Sequence, residues 1–310
     1  MINRCTLNVK RAILFILLPA FSTICYGQQD SQYTQYMYNT MSVNPAYAIA
    51  KDHTSFVALA RTQWIGFQGA PETQTVSFQT PVGYSGFGLG ITAMNDILGP
   101  SRETGIEVNI AYAVYLSKKG SLAFGLRVGG RTLSLDWSRG RFQQPDVVFN
   151  ENINNRFLPT LGAGLYYYET KWYAGISVPN LLKTDHYDDS VESLAVEELH
   201  YFLIAGYVFD IGNTIRFKPA ILSKVVFGAP VSVDFSVNVL FTDRFVLGLA
   251  YRWNDAISVL TGLQVTERLH MGYAYDLTTS NFQNYNSGTH EVFVKYDIFK
   301  QPKLKSPRFF

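Results

Sequence analysis

From about Ser85 to Ile298 the chain keeps a two-residue beat. Ile106, Val108, Ile110, Tyr112 and Val114 interleave with Glu107, Asn109, Ala111 and Ala113. Leu122, Phe124, Leu126 and Val128 interleave with Ala123, Gly125, Arg127 and Gly129. Val231, Val233, Phe235, Val237 and Val239 interleave with Ser232, Asp234, Ser236 and Asn238. Side chains of a strand alternate between two faces, so each segment has one greasy face and one that tolerates charge. Repeated around a closed sheet, that pattern suits a β-barrel standing in lipid.

The pattern predicts strands at 53–62, 72–80, 85–94, 103–116, 121–135, 157–168, 172–178, 200–209, 215–225, 231–240, 245–253, 256–265, 269–276 and 289–298. The fold class is all-β: a transmembrane antiparallel barrel of about 14 strands, an even number as in bacterial single-chain barrels. Every second connection is short, at 117–120, 169–171, 210–214, 242–244 and 266–268, and reads as a periplasmic turn. The connections at 136–156, 179–199 and 277–288 are long and read as external. Those near Gly228 and Asn254-Asp255 are also external but short.

Charge falls on the polar phase. Glu107, Arg127, Arg131, Arg216, Lys218, Asp234, Arg252, Glu291, Lys295 and Asp297 all oppose the apolar face. A charge facing lipid at mid-bilayer costs about 2–4 kcal/mol, so these residues are expected to face the lumen. Gly125, Gly129, Gly248, Ala250, Gly272 and Ala274 share that face and leave room for something inside.

Residues 1–27 read as a signal peptide: Arg4, Lys10 and Arg11, then an apolar run from Ala12 to Phe21, then small residues. A lipoprotein reading of Cys25 is weaker, because Ser22-Thr23-Ile24 lacks the usual leucine. Both cysteines, Cys5 and Cys25, lie in that segment, so a processed chain has no thiol chemistry. Without its three basic residues the chain carries 23 basic against 24 acidic side chains, which gives no sign of a nucleic-acid partner. Residues 28–50 read as an N-terminal periplasmic or plug segment, rich in Gln, Tyr and Asn, and residues 51–310 as the barrel. Asn44-Pro45 ends the first part of that segment, because the residue before proline is pushed out of the helical region. Charged residues are 16% and aromatics 15% of the chain. That composition suits an exported barrel and does not by itself exclude a soluble sandwich or propeller.

Catalytic and metal motifs are wanting. His53, His186, His200, His270 and His290 have no metal-ligand spacing. Gly86-Phe87-Gly88-Leu89-Gly90 sits inside a strand pattern and makes a poor phosphate loop. No G-x-S-x-G elbow occurs. No cofactor is expected, and the chain reads as no enzyme. Asp185, Asp188, Asp189, Glu192, Glu197 and Glu198 form an acidic loop, read as a solvated external loop over a calcium site or a basic-partner contact. Trp64 and Phe67, in Arg61-Thr62-Gln63-Trp64-Ile65-Gly66-Phe67, fit either an interfacial aromatic belt or a recognition patch. Tyr251-Arg252-Trp253 and Tyr273-Ala274-Tyr275-Asp276 admit the same two readings.

Several ordered motifs span almost the whole processed chain. They are Gln35-Tyr36-Met37-Tyr38-Asn39, Asn44-Pro45-Ala46-Tyr47-Ala48 and Arg61-x-Gln63-Trp64-x-Gly66-Phe67-x-Gly69-Ala70-Pro71-x-Thr73. Further on come Tyr173-x-Gly175-x-Ser177-x-Pro179, His200-Tyr201, Gly272-Tyr273-x-Tyr275-Asp276, His290-Glu291 and Ser306-Pro307-Arg308-Phe309-Phe310. In this order they resemble the PorP/SprF family of outer-membrane proteins of the Bacteroidetes type IX secretion and gliding systems. Ile49 stands where the family usually has glycine.

The resemblance implies an accessory, non-enzymatic role: docking, anchoring or helping to deliver secreted surface adhesins. The implied partners are outer-membrane lipid, components of the secretion or gliding machinery, and the C-terminal domain of an adhesin. The N-terminal segment is expected to touch the machinery from the periplasm. The candidate partner-binding residues are Tyr36, Asn39, Asn44, Tyr47, Arg61, Gln63, Trp64, Phe67, Tyr251, Arg252, Tyr275, Asp276, His290 and Glu291. The rival reading is a passive channel or a hydrophobic-solute transporter resembling FadL-type barrels.

Overall fold

The structure is a computed structural model that describes residues 32–83, 86–117, 119–139, 152–182 and 198–298. The targeting segment, most of the acidic loop and the final Ser306–Phe310 motif lie outside these residues.

Fourteen strands follow one another: β1 Thr54–Thr62, β2 Glu72–Val82, β3 Phe87–Leu98, β4 Ser101–Tyr115, β5 Ser121–Leu135, β6 Ile153–Tyr168 and β7 Trp172–Val178. Then come β8 His200–Tyr207, β9 Ile215–Val226, β10 Ser232–Phe241, β11 Phe245–Arg252, β12 Ala256–Gln264, β13 Leu269–Thr278 and β14 Thr289–Ile298. Each pairs antiparallel with its sequence neighbours. The sheet closes on itself where β1 pairs with β14, from Thr54 opposite Ile298 to Thr62 opposite His290. Closure leaves no open edge, which hydrocarbon would not tolerate.

Two departures from the sequence pattern have local causes. The strand expected at 200–209 is interrupted at Val208, and Phe209–Ile211 resumes the pairing with β9. Val208 faces inward, 1% exposed, and its amide still meets the Lys171 carbonyl at 2.7 Å; the gap falls on the β9 side opposite Lys218-Pro219, where proline has no amide to donate. β6 starts four residues earlier than the pattern indicates, across a register shift between Leu133 and Leu135. Such a bulge breaks the period that sequence reading depends on.

The short turns at 116–120, 169–171, 212–214, 242–244 and 265–268 share one rim with the start of β1 and the end of β14. Short turns mark the periplasmic rim, so the opposite rim is external. Thr242 and Asp243 both have positive φ, 49° and 56°, in a tight turn that the Arg244 amide closes on the Phe241 carbonyl at 2.9 Å.

The faces sort as the alternation requires. Phe124 is 47% exposed on the outer wall while its strand neighbour Arg127 is 3% exposed inside. Ile106, Ile110 and Val128 face outward, and Asp234, Lys218 and Lys295 face inward. Aromatic pairs gather at the periplasmic ends of the strands: Phe56 and Phe78 at 4.8 Å, Phe87 and Tyr112 at 4.6 Å, and Tyr167 and Trp172 at 4.8 Å. That is the expected girdle at a membrane interface.

The hydrophobic core is inside the barrel, and residues 33–50 are its centre. Tyr36, Met37, Tyr38, Met41, Ala46 and Ala48 are buried there. They join inward side chains from around the wall, among them Leu59, Ala111, Tyr166, Phe202, Leu222, Val246, Leu260 and Phe293. The lumen is a packed core with a plug.

Candidate functional site

The plug runs the length of the lumen, and its two ends are held differently. At the deep end Pro45–Ile49 forms a turn of 310-helix. Proline at its start fixes φ without losing a needed donor. The Asn44 side chain caps it by accepting from the Ala46 amide at 3.0 Å, and its own amide donates to the Leu165 carbonyl at 3.0 Å. Thr40–Ser42 forms a second short turn just before.

The wall is cut to fit this end. A Cβ added at Gly125 would stand 2.1 Å from the Ala46 nitrogen, and one at Gly164 would stand 2.3 Å from the Asn44 Oδ1. Added at Gly88, it would lie 2.6 Å from the Ala48 carbonyl oxygen. Gly125 and Gly88 permit backbone-to-backbone approach that no other residue allows, and Gly164 admits the Asn44 side chain. Arg127 reaches down from the wall and donates to the Met41 and Ser42 carbonyls at 2.6 and 3.0 Å, while Glu107 pairs with it at 3.1 Å. Ser177 donates to the Val43 carbonyl at 2.7 Å. Higher up, Tyr38 stacks on Phe293 with ring centroids 3.8 Å apart.

The outer end is held by ions and single hydrogen bonds. Arg61 sits between Asp276 and Glu291, at 2.8 Å from each. Both oxygens of Glu291 receive plug amides, from Thr34 at 3.0 Å and Gln35 at 2.7 Å. The Thr34 hydroxyl donates to Asp276 at 2.7 Å. Gln32 meets Asp234 and Ser232, and Asp234 pairs with Arg252 at 2.8 Å. Tyr33 shares a hydrogen bond with Thr75, and Tyr36 with Ser236. These wall residues lie toward the external ends of β1, β2, β10, β11, β13 and β14. Residue 32 is therefore at the outer mouth and residue 50 near the periplasmic end.

Above the mouth, two external loops clasp each other. Ile65 donates to the Gly288 carbonyl at 2.8 Å, and Ser287 donates back to the Ile65 carbonyl at 2.7 Å. Trp64 and Phe67 flank Phe282 at 4.8 and 5.2 Å, and Tyr285 lies beyond it, 68% exposed. Trp64 has φ of +47°, an outlier for so bulky a residue. A shallow pocket of about 310 Å³ opens beside this cluster between Tyr275, Leu277, Gln283 and Asn286.

The structure divides the candidate residues into three groups. Tyr36, Asn39, Asn44, Tyr47, Arg61, Arg252, Asp276 and Glu291 are buried in the lumen, where they hold the plug and the wall to each other. Gln63, Trp64 and Phe67 form the external loop. Tyr251, Tyr275 and His290 point outward from the wall near the outer rim, where the Tyr273 hydroxyl meets His290 at 2.5 Å. Residues 33–50 are enclosed by the wall. Phe282 and Tyr285 belong to the rim and were not among the candidates. No local pattern marks them, since they face the first loop only through β13 and β14. Among the described residues no group of His, Cys, Asp and Glu is placed to hold a metal, and no helix is long and apolar enough to cross a membrane.

A family model described as the type IX secretion system membrane protein PorP/SprF matches residues 26–296. The chain belongs to the PorP/SprF family. As a PorP/SprF protein it is part of a type IX secretion-system membrane family, seated in the outer membrane. Among solved structures, the toluene transporter TbuX of Ralstonia pickettii aligns with a TM-score of 0.51 at 7% identity, over 84% of this chain and 93% of its own. At that identity the likeness is one of fold. Omp33 of Acinetobacter baumannii aligns at 0.49 with 7% identity, over 80% of this chain and 98% of its own. A FadL homologue of Pseudomonas aeruginosa aligns at 0.46 with 11% identity, over 85% and 94%. These last two scores carry no argument for the PorP/SprF barrel. A search of curated proteins returned no match.

Proposed function

We propose that this PorP/SprF barrel is a closed, lipid-anchored dock that receives the C-terminal domain of a secreted surface adhesin at its outer mouth. The observation that carries the reading is the filled lumen beneath an aromatic rim. A barrel occupied from residue 33 to residue 50 offers cargo no path through it, but it offers a rigid seat on top. Trp64, Phe67, Phe282 and Tyr285 supply the aromatic area that interface anchors need, on loops braced by two backbone hydrogen bonds. The chain's part in docking is to fix position, and no bond is made or broken. Contact with secretion or gliding components then falls to the periplasmic turns. The passive-channel reading is weakened by a filled lumen whose charges pair with the plug or with one another.

The test is capture. The detergent-solubilised protein is expected to retain an adhesin C-terminal domain, and Trp64→Ala with Phe67→Ala to lose it while keeping heat-resistant barrel mobility. Recovery of no adhesin domain and no secretion component would defeat the reading. Loss of barrel mobility in the variants would make the rim structural.

A further inference from the structure

We propose that residues 32–36 are a latch occupying a polypeptide-binding site at the outer mouth, and that a segment of the docking partner takes their place. The proposal rests on the docking reading above.

The site is built to hold backbone. The Glu291 carboxylate takes two successive amides, from Thr34 and Gln35, and Asp276 takes the hydroxyl between them. Asp234 takes the Gln32 carboxamide. A carboxylate is an acceptor only, so the wall asks its occupant for donors. Arg61, Arg252 and Lys224 stand among Asp234, Asp255, Asp276 and Glu291, so these mouth residues carry more negative than positive charge. The occupant it suits is a polypeptide segment with free amide groups and hydroxyl, carboxamide or cationic side chains.

The resident latch does not satisfy this site fully. Among the described residues the Gln35 Oε1, the Asn39 Nδ2 and the Arg61 Nε are buried without hydrogen-bond partners. Buried polar groups of native proteins are nearly all paired, and a partly paired network is costly. The deep end is held by shape, with glycine-cut walls and a stacked Tyr38–Phe293 pair. An occupant that pairs the Arg61 Nε and the Asn39 Nδ2 would displace residues 32–36, Gln35 and its unpaired Oε1 included, while residues 38–50 keep the lumen filled. Docking on the rim would thus continue into the mouth as strand-like pairing, exchanging one set of donors for another.

Cysteines at Gln32→Cys and Ser232→Cys, whose parent side chains touch at 3.3 Å, allow the latch to be bridged with a short reducible bis-maleimide. Mass measurement establishes the bridge, and heat-resistant mobility establishes the fold. Capture of the adhesin domain is expected to fall about tenfold in the bridged protein, the loss typical of withholding a central anchor. Reduction of the linker restores it. Equal capture before and after reduction would overturn the latch while leaving the docking reading intact. Absence of capture by the unsubstituted protein would overturn the docking reading, and the latch with it.

Discussion

The two ends of the plug are bound to the same wall by different physics. Around Asn44–Ile49 the wall gives up its side chains so that backbones meet, and the fit is one of shape. Around Gln32–Tyr36 the wall keeps long charged side chains, and the hold is by paired charge. Shape complementarity is unforgiving of substitution but unremarkable in chemistry, and it fixes position. Charge pairing in a closed space is strong only while complete, and it can pass from one set of donors to another. The difference marks the deep end as anchor and the outer end as the part that can answer a partner.

That contrast can be broken most directly at Arg61. Arg61→Ala leaves Asp276 and Glu291 enclosed without their cation, and removing one partner of a buried pair costs about 3–5 kcal/mol. Equilibrium denaturant unfolding is expected to show a loss of that size, with amides 33–36 exchanging before amides 45–49. Gly125→Val attacks the other end by inserting atoms where the Ala46 backbone lies, and overpacking of this kind costs about 1–3 kcal/mol. Here the order of exchange is expected to reverse, with 45–49 opening first. The same order in both variants would mean that the plug is one unit.

Asn44→Ala is a gentler probe. It removes the cap on the Ala46 amide and the bond to the Leu165 carbonyl, a loss of about 1 kcal/mol. The smallest effect on stability is expected at the rim. Trp64→Gly removes an aromatic anchor and frees a backbone held at positive φ, so stability changes by less than about 1 kcal/mol in either direction while adhesin capture falls. A large loss of stability there would assign Trp64 to the fold and leave the rim without its central anchor.

The wall was legible because lipid imposes one rule on every strand. Phe124 outside and Arg127 inside follow from period two alone. The rule fails where the register shifts, opposite Leu133 and Leu135. The plug had no such rule. A stretch of Gln, Tyr and Asn reads alike in the periplasm, at a surface or in a polar lumen, and only its burial by inward residues of distant strands decides among these. For the same reason Tyr36, Asn39, Asn44 and Tyr47 stood out in the sequence as special, while their role as plug residues stayed hidden. Arg61 lies far in the chain from Asp276 and Glu291, and barrel closure at β1 and β14 brings it between them.

The central claim is that residues 33–50 fill the lumen of a lipid-embedded barrel. Planar-bilayer recording of the full-length protein tests it most directly. A reconstituted barrel is expected to pass no steady current. Stable, ohmic single-channel steps from the purified, correctly folded protein would contradict it.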